Sequence, residues 1–299
     1  MANLIIQDYQ APAKNVVADM KIIFSRKGFD LQFGGFPSPI LPDGRLVSLP
    51  IPNQRDDISY SDLLLSDGGN YYYLMMDLKG KVKYDKTWHD LKNSIKCHLD
   101  PDLYSDIVPR KKGWKPIFGQ IDAAQTHLEN QEVKEGDVFL FFGTFKHTEY
   151  QDGHLRFVRS DIPKHIIFGY LQIEEIMKVN DKQKCPAWMD SHPHACKRRR
   201  EAKNNAIYIS RDNLTWNSKL KGAGTFLFNE RLVLTKEGFS KSRWELDDIF
   251  KQVPISCHSD KNWKPEGYFQ TNGIGQEFVV HADKQIEMWA KDLINKSKK

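Results

Sequence analysis

The chain has 299 residues, 40% of them hydrophobic and 28% charged, with a formal charge of +5. That length suits one large domain or two small ones, and the composition is that of a globular chain with ample core material, which excludes disordered and fibrous classes. No apolar run approaches the length that spans a bilayer, so no membrane partner is expected, and the mild basic excess admits an anionic partner without requiring one.

The first residues, MANLIIQDYQ, place no cationic region before an apolar stretch, which speaks against a secretory signal and for the cytoplasm. The first strand is expected at MKIIFS (20–25). It runs straight into a hydroxyl and two cations, Ser25, Arg26 and Lys27, before Gly28 breaks the pattern and Asp30 follows. Strand ends are common ligand positions; Arg clamps phosphate or carboxylate with two parallel bonds, and a desolvated Lys can act as a nucleophile. The simpler alternative is a charged strand terminus in which Asp30 makes a local salt bridge. Residues 34–54 hold five prolines and three glycines and read as a long loop with one short strand at RLVSL.

A helix is expected over 85–97, capped by Asp85, with Trp88, Leu91 and Ile95 on one face. A second is expected over 122–131, capped by Asp122. Strands follow at 136–145, 154–160, 165–179, 204–210, 225–228 and 231–235. The first and third of these are apolar on both alternating faces, the mark of a covered strand or a barrel stave. Ser242 and Glu245 form a capping-box pattern that predicts a helix over 242–250. The chain closes with an amphipathic helix whose stripe is Ala282, Ile286, Trp289, Ala290, Leu293 and Ile294. The expected fold is α+β, a single domain over 1–299. It has a mixed sheet or barrel concentrated at about 132–235, flanking helices and a C-terminal amphipathic helix.

The polar motifs suggest chemistry. In CHLDPDL, His98, Asp100 and Asp102 form a general-base arrangement, or else the two aspartates are helix-exit turn residues. In CPAWMDSHPHAC, Cys185, His192, His194 and Cys196 are zinc-ligand types, but C-x6-H-x-H-x-C is not a finger spacing. No metal ligand is therefore assigned; His192 or His194 more simply binds a ligand or moves a proton. The remaining cysteines, Cys97 and Cys257, complete four spread thiols that suit a reducing compartment. The basic runs KRRR (197–200) and PRKK (109–112) are solvated loops or phosphate contacts. Gln172 and Gln276 draw notice because an amide on an apolar strand needs a partner, and a base edge or a neighbouring backbone would serve. No cofactor motif is present, and the cofactor stays open.

Seven separated segments, from KIIFSRKGFD through CHLDPDL, GDVFLFFGTF, HIIFGYLQIEEI, SHPH and SRWELDDIF to GQEF, together resemble the bacterial and phage family called nucleotide modification associated domain 3. The resemblance runs from about residue 20 to the C-terminus. It implies a link to modification of nucleotides or DNA bases, and it directs attention to Ser25, Arg26, Lys27, Asp30, His98, Asp100, Asp102, His192, His194, Arg243 and Gln276. The central strands also look like PUA-like folds such as ASCH and EVE domains, which bind RNA or modified bases. Two functions follow. One is an enzyme acting on a nucleotide or nucleic-acid base, with Arg26 and Arg243 on phosphate, Lys27 as nucleophile or electrostatic partner, and His98 or His192 with Asp100 handling protons. The other is a non-catalytic reader, in which Phe168 or Tyr170 stacks on a modified base, or a protein that sequesters a small nucleotide signal. Oligomeric state is not legible.

Overall fold

The computed structural model describes residues 20–180, 185–273 and 277–298. Its frame is a nine-stranded mixed sheet. The strands are β1 (Ile22–Arg26), β2 (Ser38–Ile40), β3 (Ile117–Ile121), β4 (Val138–Gln151), β5 (His154–Phe157), β6 (Lys164–Lys178), β7 (Asn205–Ser210), β8 (Ala223–Thr225) and β9 (Glu277–Val280). The main order is β9-β1-β4-β6-β7-β3, with β2 and β5 pairing further along β4 and β8 along β6. β1 and β2 run parallel to β4. The other pairs are antiparallel.

The doubly apolar pattern of β4 is explained by cover on both faces. Phe24 and Phe142 pack on Trp244, with ring centroids 5.6 and 4.9 Å away, and Phe24 also meets Trp289. Trp289 lies on the C-terminal helix, Lys284–Ser297, whose cap Asp283 accepts from the Gln285 and Ile286 amides. On the other, concave face, Phe139 and Phe141 meet Phe118 of β3, and Phe139 meets Tyr208 of β7. These buried rings plug the curl of the sheet.

The curl brings the two ends of the strand order together. Gln120 on β3 donates to Glu277 on β9 across 2.8 Å. The barrel expected from the PUA-like resemblance is nevertheless not closed, because both outer edges are already taken. Asp102 exchanges two backbone bonds with Ile117 on β3, at 2.9 and 3.0 Å, and Ile255 and Ser256 occupy the edge of β9. A covered edge cannot pair again. The sheet also draws β1, β2, β3 and β9 from outside the expected 132–235 window, so the β-rich centre is wider than its sequence suggests.

Residues 29–108 pack a second hydrophobic cluster around Phe29, Tyr60, Leu63, Met75 and Val82. It includes the helix α1 (Tyr71–Leu78), capped by Asn70. The helix expected over 85–97 is absent. Asp85 and Lys86 adopt φ of 48° and 66° and form the two-residue turn of a hairpin joining Lys81–Tyr84 to Thr87–Asp90. The helix α2 (Asp122–Asn130) is present, but Asp122 is its first residue and Ile121 occupies the cap position. The helix expected over 242–250 is replaced by a short strand, Arg243–Trp244, and a 3-10 turn, Asp248–Gln252, capped by Asp247. Pairing of Trp244 with Phe269 draws that segment into a small sheet instead. The expected strand at 231–235 begins in a 3-10 turn, Glu230–Leu232, and continues only as isolated β-bridges at Val233 and Thr235. None of the described helices is long and apolar enough to cross a membrane.

Candidate functional site

The polar residues gather along β3, at the seam where the curled sheet meets itself. Alternation sends Phe118 and Gln120 into the concave interior and Gly119 the other way. On the interior side, buried Glu277 accepts from Ser25 Oγ (3.2 Å), Gln120 Nε2 (2.8 Å) and Lys27 Nζ (3.0 Å). Lys27 also lies over the Phe118 ring, 4.4 Å from its centroid. Of the residues that end the first strand, Ser25 and Lys27 therefore meet a buried carboxylate of the chain itself, brought in by β9. Gly28 follows with φ of 78°, a conformation that suits glycine and lets the chain turn away.

On the edge side, Asp100 Oδ1 accepts the Gly119 amide (2.8 Å) and lies 3.2 Å from His192 Nε2. The His194 side chain fills the space where Gly119 has no side chain. His98 Nε2 and His194 Nε2 each stand 4.0 Å from Asp100 Oδ2. All four side chains are shielded, with His98 the most open at 13%. Burial opposes the charge of Asp100, but the His192 hydrogen bond and the fields of His194, His192 and Lys27 hold its carboxyl well below the usual range. Burial drives His194 far below the usual imidazole value, against the pull of Asp100, so that ring is neutral at pH 7.

The imidazoles are held from behind. Asp56 lies 2.8 Å from His98 Nδ1, and Arg199 lies 3.3 Å from Asp56 and 3.2 Å from that nitrogen. A carboxylate only accepts, so the 2.8 Å contact puts the His98 proton on Nδ1. Burial works against the charge of Asp56, while His98 and Arg199 keep its carboxyl below the ordinary range. Asn205, at the start of β7, faces His194 Nδ1 with its oxygen at 3.0 Å and uses its nitrogen on the carbonyls of His194 and Arg199.

A cleft of about 910 Å³ adjoins this cluster. Its lining includes Asp56, Arg55, Arg198, Arg199 and Cys196 together with Phe33, Tyr84, Ile121 and Asp122. Asp56 belongs to both cleft and cluster. The residues 197–200 form a four-residue helical turn, so the KRRR run delivers Arg198 and Arg199 to the cleft wall.

The structure brings together Ser25, Lys27, His98, Asp100, His192 and His194. The others do different work. Arg26 donates to the Gly273 carbonyl at 3.0 Å. Asp30 folds a turn, accepting the Gln32 and Phe33 amides at 2.7 Å each. Asp102 is bound by the fork of Arg110 at 2.5 and 2.7 Å, and Arg110 stacks on Trp114. Tyr170 is buried, stacked on Phe226 and bonded to the Lys221 carbonyl. Gln172 has its amide satisfied by Gly136, Thr215 Oγ1 and the Thr215 amide. Arg243 stacks over Phe239 and Tyr268. Gln276 lies outside the described residues. Among the described residues, the one group of metal-type ligand atoms within 4.8 Å of one another is His98, Asp100 and His194, without Cys185 or Cys196.

Asp56, Gly119, Gln120, Asn205 and Glu277 were not singled out by the sequence. Only Glu277 left a signal there, as a charge opening the all-apolar run FVV. No curated protein and no solved structure matches the chain. The family model described as nucleotide modification associated domain 3 matches residues 21–281. On that match, which takes in both β1 and β9 and the whole of the seam between them, the chain belongs to the nucleotide modification associated domain 3 family.

Proposed function

We propose that the protein is an enzyme that modifies a nucleotide or a nucleic-acid base, holding the phosphates in the arginine cleft and the reacting group at the His98–Asp100–His194 cluster. One observation carries this reading. Asp56 lines the cleft beside three arginines and also orients His98, so an anion bound there lies one residue from the buried imidazoles. Arg55, Arg198 and Arg199 supply forked donors for phosphate oxygens. Phe33, 42% exposed, and Tyr84, one face of which is stacked on His89, line the same cleft and offer aromatic surface for a base. The cleft volume of about 910 Å³ suits a nucleotide.

In this reading Asp56 and Asn205 orient His98 and His194 at the reacting group, and His192 holds Asp100 in place. Lys27, paired with Glu277, acts as a fixed positive charge beside Asp100 rather than as a free amine. A reader that stacks a base on Phe168 or Tyr170 has no support, since both rings are buried in the core.

The test is incubation with ribo- and deoxyribonucleoside triphosphates and with single- and double-stranded oligonucleotides, in the presence of divalent ions, followed by mass spectrometry. A product of new mass is expected, absent with His194→Ala and made with a raised KM by Arg198→Glu. An unchanged pool from which the protein retains one species would replace the enzyme with a reader or a sequestering protein.

A further inference from the structure

We propose that His98, Asp100 and His194 bind a divalent first-row transition-metal ion. This rests on the geometry of those residues alone and holds whether or not the cleft binds a nucleotide.

The argument is one of proton placement. His98 Nδ1 donates to Asp56 Oδ2 at 2.8 Å, so in the neutral ring Nε2 is a lone pair. Asn205 has its amide nitrogen committed to two carbonyls, at 2.9 and 3.0 Å, so its oxygen faces His194 Nδ1 at 3.0 Å and must accept. The His194 proton is therefore on Nδ1, and its Nε2 is also a lone pair. His192 is wired the opposite way. Its Nδ1 accepts the His194 amide at 3.3 Å, which puts its proton on Nε2, where it donates to Asp100 Oδ1. That oxygen also takes the Gly119 amide.

What remains is Asp100 Oδ2 facing two imidazole lone pairs, each 4.0 Å away, with neither ring directing a proton at it. Three shielded acceptors turned toward one another repel unless a cation lies between them. The three ligand atoms lie within 4.8 Å of one another. An ion bound at ordinary metal–nitrogen and metal–oxygen lengths would draw Asp100 Oδ2 and each imidazole nitrogen from 4.0 Å to about 3–3.5 Å apart. Two nitrogens and one oxygen select zinc, iron, manganese or cobalt over calcium and magnesium, which prefer oxygen alone. The Asp56–His98 and Asn205–His194 bonds are the outer support that such ligands need. The absent side chain at Gly119 is what lets the His194 ring reach its place.

The full chain is stripped with chelator, titrated with Co2+ under anaerobic conditions and followed by visible absorption and metal analysis. One cobalt per chain is expected, with ligand-field bands that disappear when zinc is added. The bands are expected to be lost in His98→Ala and Asp100→Asn, each of which is checked for cooperative thermal melting by circular dichroism. Cys257→Ser, which removes the thiol 3.9 Å from His127, is expected to leave them intact. If the wild-type chain takes up no stoichiometric metal, or if the bands survive both cluster variants while those variants remain folded, the proposal is overturned.

Discussion

Asp100 and Asp102 stand two positions apart in one motif, both are buried, and both lie along the outer edge of β3, yet their surroundings differ in kind. Asp102 has both oxygens consumed. The Arg110 fork takes one bond to each, and the Trp114 indole approaches Oδ2 at 3.4 Å. Its own backbone pairs with Ile117. Asp100 has one oxygen consumed, by Gly119 and His192, while the other faces imidazoles at 4.0 Å. A buried carboxylate whose every lone pair is met by its own fold is an anchor. One that is held rigidly by one oxygen and left with the other is preorganised for something else.

The largest expected effect lies at the anchor. Asp102→Ala leaves Arg110 with a buried, uncompensated charge, and urea denaturation should show a loss of about 3–5 kcal/mol. The protein that remains folded should still bind its ligand, since neither Asp56 nor the arginine cleft is touched. Loss of ligand affinity in that folded fraction would merge the two carboxylates into one unit.

Next is Gly119→Ala, where the new methyl group would lie 2.2 Å from His194 Cγ, well inside van der Waals contact. Overpacking of this kind costs about 1–3 kcal/mol. Here it also displaces His194, so turnover should fall further than the melting temperature suggests. A variant with a lowered melting point and unchanged turnover would remove His194 from the working cluster. Asp56→Asn weakens the acceptor that holds His98 and should lower turnover about 10–100-fold, with a cooperative melt retained. The smallest effect is expected in the core. Tyr170→Phe removes one hydrogen bond, to the Lys221 carbonyl, and should cost about 1 kcal/mol with no change in ligand affinity. A drop in affinity there would revive the base-stacking role that its burial argues against.

Much of the frame was legible because periodicity speaks plainly where apolar faces are long. β1, β4, β6, β7 and the C-terminal helix all carry such patterns. Residues 85–97 misled because Trp88, Leu91 and Ile95 sit at helical spacing, while the local conformations of Asp85 and Lys86 impose a hairpin turn. β3 gave no signal, since IFGQI is five residues long with a glycine and an amide inside it. The site was legible in part for the same reason. His98, Asp100, His192 and His194 announce themselves as reactive types in short motifs. What turns them into a cluster is Asp56, Gly119 and Asn205, ordinary residues whose roles come from contacts made across the fold. Asp102 shows the converse. Its partner Arg110 is only eight residues away, and nothing in CHLDPDL distinguishes it from Asp100.

The two carboxylates carry separate reporters, the Gly119 amide on Asp100 and the Trp114 indole N–H on Asp102. The most direct test is a titration with nucleoside triphosphates, followed by nitrogen–proton correlation NMR on the whole chain. The account predicts that the Gly119 signal shifts with saturation while the Trp114 indole stays in place. A bound nucleotide that moves Trp114 and leaves Gly119 untouched would contradict it.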